Sequence, residues 1–285
     1  MIYLDHAATT YVKKEVLEEM LPYFNEKYGN PSSIYSIGKE NKVVIDKARM
    51  QVTNAINAKP NEIFFTSCGS ESDNWALKGV AFANKSRGNH IITTCIEHPA
   101  ILNTCKYLEN QGFDVTYLSV DLDGLIDLEE LKNSITDKTT LISIMFANNE
   151  IGTIEPIKEI SDIAKKHNIY FHTDAVQGVG NVIIDVDKLG IDMLSMSAHK
   201  FYGPKGIGAL YVKNGVDFER IQDGGHQERD KRAGTENVPY IIGLGKAAEL
   251  IINDNFTTEQ KIEELRNYME EQIKTNIEDV HIYGD

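Results

Sequence analysis

Short apolar runs alternate with amphipathic segments along most of the 285 residues. Several runs are rich in β-branched and aromatic residues and predict strands, since such side chains fit a buried, pleated surface. They are residues 63–66, 91–96, 115–120, 141–146, 169–173 and 191–196. Several are apolar at successive positions, which is expected of strands covered on both faces.

Apolar residues at helical spacing separate these strands. Residues 157, 160, 163 and 164 place isoleucines and an alanine on one face of a predicted helix, and residues 99–111 and 125–135 behave similarly. The alternation of strand and helix predicts an α/β fold, with a mainly parallel sheet between two helical layers. In such sheets a ligand binds beyond the carboxyl ends of the strands.

The pattern changes near Thr257, where a long charged helix is predicted over residues 259–276. Its apolar positions are spaced for one helix face, which consists of Ile262, Leu265, Tyr268, Met269 and Ile273. A short strand is predicted to begin at Val280. We therefore expect an N-terminal arm (residues 1–14), a large domain (15–250) and the beginning of a small C-terminal domain (251–285). Residues 220–235 are polar and predict a loop.

Composition narrows the setting in which the protein acts. The net charge of −14 argues against nucleic acid or an anionic membrane as the main partner. No apolar run approaches the roughly 20 residues of a membrane span, and the start lacks the features of a signal peptide. The chain has three cysteines, Cys68, Cys95 and Cys105, and no Cys-x-x-Cys pair. This argues against a disulfide framework or a zinc site and favours a reducing, cytoplasmic location.

Lys200 is the most informative residue. It follows a predicted buried strand within Ser-Ala-His-Lys and precedes three glycines. Burial disfavours the ammonium form, so a lysine there loses its proton easily and can condense with an aldehyde cofactor. A surface ion pair is the alternative for a lysine taken alone.

Two upstream residues favour the cofactor. Asp174 ends a predicted strand, and Gln177 follows three residues later. A carboxylate at a strand end can keep the nitrogen of a pyridine ring protonated, which makes the ring an electron sink. Helix capping is the alternative for Asp174 alone.

The segment from Cys68 leads from a strand into a helix. Ser70 and Asp73 have the spacing of a capping box, and the free N–H groups of a helix start also suit a phosphate. The residues by themselves leave both readings open.

At this point the chain resembles the class V aminotransferase family, whose members use pyridoxal 5′-phosphate (PLP). More narrowly, it resembles cysteine desulfurases of the NifS/IscS type. The matching motifs occur in family order: YLDHAATT from Tyr3, YGNPSS from Tyr28, TSCGSESDN from Thr66, Glu97-His98, NNEIG from Asn148, HTDAVQ from His172, SAHK from Ser197 and RAGTE from Arg232.

The resemblance implies PLP-dependent fold type I and a set of cofactor contacts. It implies that the phosphate is held by Gly69, Ser70, Ser197 and His199. Thr235 would complete the phosphate site of the neighbouring subunit, which implies a homodimer. Capping of a following helix is the other reading for Thr235.

The resemblance also implies roles around the ring of the cofactor. His98 would stack on the ring and move a proton, Asn149 would face the substrate side, and Gln177 would bond the ring hydroxyl. With His98, the catalytic residues implied are Lys200, which binds the aldehyde and removes the α-proton, and Asp174. No metal site is expected.

The reaction implied is conversion of L-cysteine to L-alanine, with the sulfur passed through an enzyme thiol to an acceptor protein. Iron–sulfur scaffolds and tRNA-thiolation proteins are the acceptors typical of the family. Members carry the nucleophilic cysteine and a carboxylate-binding arginine beyond the residues present here. This implies a fragment, a second polypeptide that supplies them, or a protein without desulfurase activity. The fragment is favoured, and we expect these 285 residues alone to turn over little or no cysteine.

Other functions remain to be compared with this one. Within PLP chemistry the alternatives are a selenocysteine lyase or an aminotransferase, and outside catalysis a binding protein that keeps the fold.

Gly243-Leu-Gly245 matches a relaxed dinucleotide fingerprint, but no βαβ unit with a terminal acid follows it. The glycines at 203–208 lack the Gly-Lys-Ser/Thr end of a phosphate-binding P-loop.

Overall fold

The computed structural model describes residues 2–254 and 257–284. A seven-stranded sheet forms its centre, in the spatial order β1-β7-β6-β5-β4-β2-β3. The strands are β1 (Ile63–Thr66), β2 (His90–Thr94), β3 (Asp114–Leu118), β4 (Thr139–Ser143), β5 (Tyr170–Asp174), β6 (Met193–Ser197) and β7 (Gly208–Val212). Neighbours from β3 to β6 are parallel, and β7 runs antiparallel to both β6 and β1.

Helices cover both faces of the sheet. In chain order they are α1 (Lys14–Met20), α2 (Pro22–Asn25), α3 (Ser36–Ile56), α4 (Gly69–Ala83), α5 (Pro99–Glu109), α6 (Leu128–Ser134), α7 (Ile157–Lys166), α8 (Val186–Leu189), α9 (Gln227–Asp230), α10 (Val238–Asp254) and α11 (Thr257–Asn276). Core residues of α4 and α5 pack on one face, and those of α1, α3, α7 and α10 pack on the other. The predicted α/β architecture is confirmed.

Side-chain alternation assigns strand residues to these two layers. Leu141 and Met193 join the α4 layer, while the next residues, Ile142 and Leu194, join the opposite layer. Since alternate residues of a strand share a face, His172 and Asp174 of β5 turn towards α4. The same reasoning places Ser195 on that face.

The structure departs from the sequence predictions at several elements. Strand β7 was not predicted, because its apolar residues directly follow a glycine-rich stretch typical of a loop. No strand forms among the described residues from Val280 to Gly284. The predicted loop contains the short helix α9, in which Glu228 and Arg229 have positive φ angles of 43° and 58°.

The capping box, one of the two interpretations of Ser70 and Asp73, does not form. Helix α4 begins at Gly69 with Cys68 at the N-cap, and no side chain caps it there. Glu71 instead accepts a hydrogen bond from the amide of Ser67 at 2.7 Å. Ser70 therefore lies inside the first turn, where its hydroxyl is not needed as a cap.

Glycines within α10 serve packing. A Cβ atom on Gly245 would lie 2.6 Å from the Cα of Ala48 in α3, and one on Gly243 would lie 2.6 Å from the sulfur of Met20. These two glycines allow α10 to approach its neighbours closely, which accounts for the motif that resembled a dinucleotide fingerprint. Helix α10 also runs through the predicted domain boundary at residue 250, and the division into domains stays a prediction.

The apolar face predicted for the last helix is exposed to solvent within the described part of the chain. Ile262, Leu265, Tyr268 and Met269 of α11 are 52–62% exposed. Residues 1, 255, 256 and 285, which fall in the predicted arm and C-terminal region, lie outside the described residues. No helix in residues 2–254 or 257–284 has the length and apolar character needed to cross a membrane.

Candidate active site

A cavity of about 570 Å³ opens at the carboxyl ends of the strands, where the fold predicts a ligand. It brings together nine of the predicted site residues from five separate segments. They are Gly69, Ser70, His98, Asn149, Asp174, Gln177, Ser197, His199 and Lys200. The tenth, Thr235, borders a different cavity of about 190 Å³ together with Ser67 and Arg232.

Lys200 ends a short 3₁₀ turn that follows β6, so the turn directs it towards the cavity. Burial lowers the pKa of its ammonium group, while Asp174, Asp5 and Glu150 act in the opposite direction. Its Nζ donates hydrogen bonds to the carbonyl oxygens of Ala7 and Ala8, at 3.1 Å for Ala8. A half-buried amine with a lowered pKa releases its proton more readily than an exposed lysine and can take it back from a nearby donor.

Asp174 is the last residue of β5 and is only 6% exposed. Burial raises the pKa of its carboxyl group, whereas the amide of Val176, which donates to it at 2.9 Å, lowers it. His98 and Lys200 also lower this pKa through their charges. Burial therefore favours the neutral carboxyl group of Asp174, and a cation bound in the cavity would favour its anion.

The start of α4 lines one side of the cavity and has the features that suit an anion. Gly69 and Ser70 supply the first turn of a 15-residue helix, whose N–H groups have no side-chain cap. A Cβ atom at Gly69 would lie 2.7 Å from Cγ2 of Val176 and 3.5 Å from Cβ of Ser197. A side chain at Gly69 would therefore clash with Val176, so only glycine fits at this first turn without a shift of its neighbours.

His98 caps α5, accepting a hydrogen bond at Nδ1 from the amide of Ala100 at 3.1 Å. This contact fixes the imidazole at the cavity wall. His199 is held through Nδ1 by the hydroxyl of Thr9 at 3.1 Å, and its pKa is lowered by burial first and then by Lys200 and Lys205. Each of the two rings is thus held in place through its Nδ1 atom.

The N-terminal arm supplies cavity residues that the sequence reasoning did not assign. Asp5, Ala7 and Ala8 line the cavity. Gln177 donates from Nε2 to the carbonyl of Ala7 at 3.0 Å, and Thr10 donates from its amide to the carbonyl of His199 at 2.8 Å. The arm motif was visible, but these contacts use backbone atoms, for which side-chain identity carries little signal.

Other lining residues were also missed as site residues: Cys68, Asp73, Met145, Ala147, Glu150 and Val176. Val176 and Glu150 are direct neighbours of Gln177 and Asn149, so their place in the same motifs was the available signal. The remaining thiols differ from Cys68. Cys95 is exposed after β2, and burial raises the pKa of Cys105 to about 12.

Comparisons with known proteins agree with this geometry. A family model described as aminotransferase class-V matches residues 2–285. The chain belongs to this family. Cysteine desulfurase IscS from Clostridium botulinum (strain Hall) is 59% identical over 283 residues, and that of Methanosarcina thermophila is 57% identical over 283 residues. The matches cover 99% of this chain, which spans 71% and 70% of the length of these relatives.

Solved structures show the same relationship. A NifS-like protein is 44% identical with a TM-score of 0.94, over 96% of this chain and 76% of the other. SspA in complex with cysteine is 45% identical with a TM-score of 0.85, over 87% of this chain and 72% of the other. The predicted NifS/IscS resemblance and PLP-dependent fold type I are confirmed.

PLP is the cofactor of this family, as the resemblance implied. The described residues fit it: the cavity combines an uncapped helix start for a phosphate, a buried carboxyl for a ring nitrogen and a half-buried lysine for an aldehyde. When bound, the cofactor supplies an electron sink that stabilises a carbanion at the α-carbon of an amino acid.

Proposed function

We propose that the protein is a PLP-dependent cysteine desulfurase that converts L-cysteine to L-alanine and passes the sulfur to an acceptor. The observation that carries the proposal is the convergence of Lys200, Asp174 and the start of α4 on one cavity. The relatives named as cysteine desulfurases and the cysteine-bound neighbour support the substrate.

Each residue has a defined task in this proposal. Lys200 would hold the cofactor through its amine, and its free amine would take the proton from the α-carbon of the substrate. Asp174 would keep a positive charge at the ring nitrogen. Gly69, Ser70, Ser197 and His199 hold the phosphate. His98 packs against the ring and moves a proton, Asn149 contacts the substrate side, and Gln177 bonds the ring hydroxyl. Burial of Asp174 excludes water from its carboxylate and strengthens its interaction with the ring.

A trapping experiment tests the cofactor assignment. The protein is incubated with PLP, treated with borohydride and digested, and the labelled peptide is identified by mass spectrometry. We expect the label on Lys200. A label on another lysine, or none after PLP has bound, would contradict the assignment.

Proton exchange at the α-carbon tests the chemistry separately from sulfur transfer. In D₂O with PLP, we expect the protein to exchange the α-hydrogen of L-alanine, as observed by NMR, because this step uses Lys200, Asp174 and the cofactor and needs no nucleophilic thiol. Comparing product formation from cysteine, from selenocysteine and with a keto acid then separates a desulfurase from a lyase or an aminotransferase.

We also propose that the protein acts as a homodimer in which Thr235 contributes to the partner's phosphate site. Thr235 borders a cavity separate from that of Lys200 in its own chain. Large apolar side chains between residues 28 and 50 are well exposed, as a surface covered by a second copy requires: Tyr28, Ile34, Tyr35 and Val43 at 61–86%. Light scattering should give twice the chain mass, and Ile34→Glu should reduce it.

The sulfur acceptor is proposed to be an iron–sulfur scaffold or a tRNA-thiolation protein, and the location to be cytoplasmic. The acceptor follows from the family resemblance. The location follows from the cysteines, whose number and spacing favour free thiols in a reducing compartment. A persulfide-transfer assay with purified candidates of each class would identify the acceptor.

A further inference from the structure

Asp73 is a buried acid of the cavity that the proposed function leaves without a task. It lies in the second turn of α4, lines the cavity and is only 1% exposed. Neither carboxyl oxygen has a hydrogen-bond partner within 3.5 Å among the described residues, although the hydroxyl of Ser195 lies close enough to act on its pKa. An ionised carboxylate is costly to bury in this way, so its protonation state requires an explanation.

The nearest cation-forming group does not balance Asp73. His172 Nε2 lies 3.9 Å from Asp73 Oδ1, but complete burial lowers the pKa of His172 to about 3. Its ring nitrogens hydrogen-bond with the hydroxyls of Ser143 at 2.9 Å and Ser195 at 3.0 Å. His172 is therefore neutral and already bonded on both sides.

The ionisable groups that act most strongly on the pKa of Asp73 are acids, and Lys200 and His98 of the same cavity are not among them. Burial raises the pKa of Asp73 well above its usual value, and the charge of Asp174 adds to the shift. The hydroxyl of Ser195 acts in the opposite direction, while Glu97, beyond β2, and Cys68, before α4, raise the pKa further. Glu97 is itself buried, with a pKa raised to about 8 mainly by burial.

Asp174 differs from Asp73 although both line the same cavity. Asp174 receives the amide of Val176 and feels the charges of His98 and Lys200. Two carboxyl groups in one poorly solvated site do not both ionise readily, and the environment decides which one keeps the proton. Burial raises the pKa of both carboxyl groups, that of Asp73 well above its usual value, but only Asp174 has nearby cations that oppose the shift, so Asp73 is the acid that keeps the proton.

We propose that Asp73 is a positioning residue that remains a protonated carboxylic acid, donates its hydrogen towards the hydroxyl of Ser195, and leaves Asp174 as the one negative charge of this acid pair. The inference deepens the proposed function and rests on it for the role of Asp174. It predicts that an amide can replace Asp73, because an amide is also neutral and donates a hydrogen bond.

The test compares Asp73→Asn with Asp73→Leu, which has similar bulk and no donor. PLP binding is measured by absorbance titration from mildly acidic to mildly basic pH. We expect Asp73→Asn to bind PLP within about twofold of the unaltered protein, and Asp73→Leu to bind about tenfold more weakly, the equivalent of one lost hydrogen bond. Equal weakening in both variants would overturn the proposal.

Infrared spectroscopy of the protein without PLP gives a second, independent readout. At neutral pH, the difference spectrum between unaltered protein and Asp73→Asn should contain the C=O stretch of a protonated carboxylic acid. As a control, the same band should still be present in the spectrum of Glu97→Gln. A carboxylate band in its position would show that Asp73 is ionised and would refute the proposal. If the protein binds no PLP, the proposed function fails, yet the infrared result still decides the state of Asp73.

Discussion

The interface between α4 and the sheet has two halves that are equally buried and chemically opposite. Towards the amino ends of the strands the sheet presents apolar side chains, and towards the carboxyl ends it presents polar ones. The first set is Ile91, Leu141 and Met193, and the second is Thr93, Ser143, His172 and Ser195, each with 0% exposure. The same strands change character within two residues along one face.

The difference shows where packing gives way to chemistry. Burial of apolar groups stabilises the first half, at roughly 1.5–3 kcal/mol for each large side chain. The second half must offset the desolvation of polar groups with hydrogen bonds, such as those between His172 and its two serines. The side-chain oxygens of Thr93 and Asp73 have no hydrogen-bond partner within 3.5 Å among the described residues. Such unsatisfied groups lower stability and are typical of functional sites.

The largest effect is expected from Lys200→Ala, which removes the only amine that lines the cavity described above. Covalent retention of PLP and α-hydrogen exchange should both be lost, while the thermal midpoint stays near that of the unaltered protein. Absorbance after gel filtration measures retention. Lys205→Ala is the matched control, since Lys205 does not line this cavity; equal loss there would contradict the assignment.

The comparison between the two halves is tested directly by Leu141→Ala and Ser143→Ala in the same strand. Loss of the leucine should lower the free energy of unfolding by about 2–5 kcal/mol, because a cavity remains in a packed layer. Loss of the serine hydroxyl should cost only about 1 kcal/mol, the value of one hydrogen bond to His172. Urea denaturation measures both, and the reverse order would show that the polar half is the more stabilising one.

Glu97 makes the stability of the polar half depend on pH. Burial raises its pKa from 4.5 to about 8 in the folded protein, despite the amide of Met145 and the hydroxyl of Thr94 that donate to it. Between these values the folded state holds a proton that the unfolded chain has lost. The free energy of unfolding should therefore fall as pH rises through this window, by up to about 1.4 kcal/mol per pH unit.

Glu97→Gln cannot titrate and should flatten this dependence without removing the acceptor oxygen. Denaturation series at several pH values, compared between the two proteins, measure the difference. Identical slopes would mean that Glu97 is ionised throughout the range.

The smallest effect on stability is expected from Ser70→Ala. Because Ser70 lies inside the first turn of α4 and caps nothing, the free energy of unfolding should change by less than about 0.5 kcal/mol. PLP binding should weaken about fivefold, for one lost contact to the phosphate. Asp127→Ala is the control for a true cap, since Asp127 accepts the amide of Glu129 at 2.8 Å at the start of α6; it should cost about 1 kcal/mol and leave PLP binding unchanged.

Much of the fold followed from local patterns because burial on both faces leaves a direct signal in the strands. The runs beginning at Ile63 and Leu141 predicted β1 and β4 within a few residues. Strand β7 was missed because its position depends on antiparallel pairing with β1 and β6, distant in sequence. The capping box does not form at Ser70 because helix α4 begins at Gly69, two residues earlier than a cap at Ser70 would place it.

The sequence by itself determined the α/β class, the family and the residues whose chemistry is distinctive, Lys200, Asp174 and Gln177 among them. These are signalled by identity and order along the chain. Only the tertiary structure decided that the N-terminal arm lines the cavity, that His172 is neutral and that Asp73 stands beside Asp174 with no hydrogen-bond partner within 3.5 Å among the described residues. Such properties depend on desolvation and on charges brought together from distant segments, and no local pattern of residues encodes those.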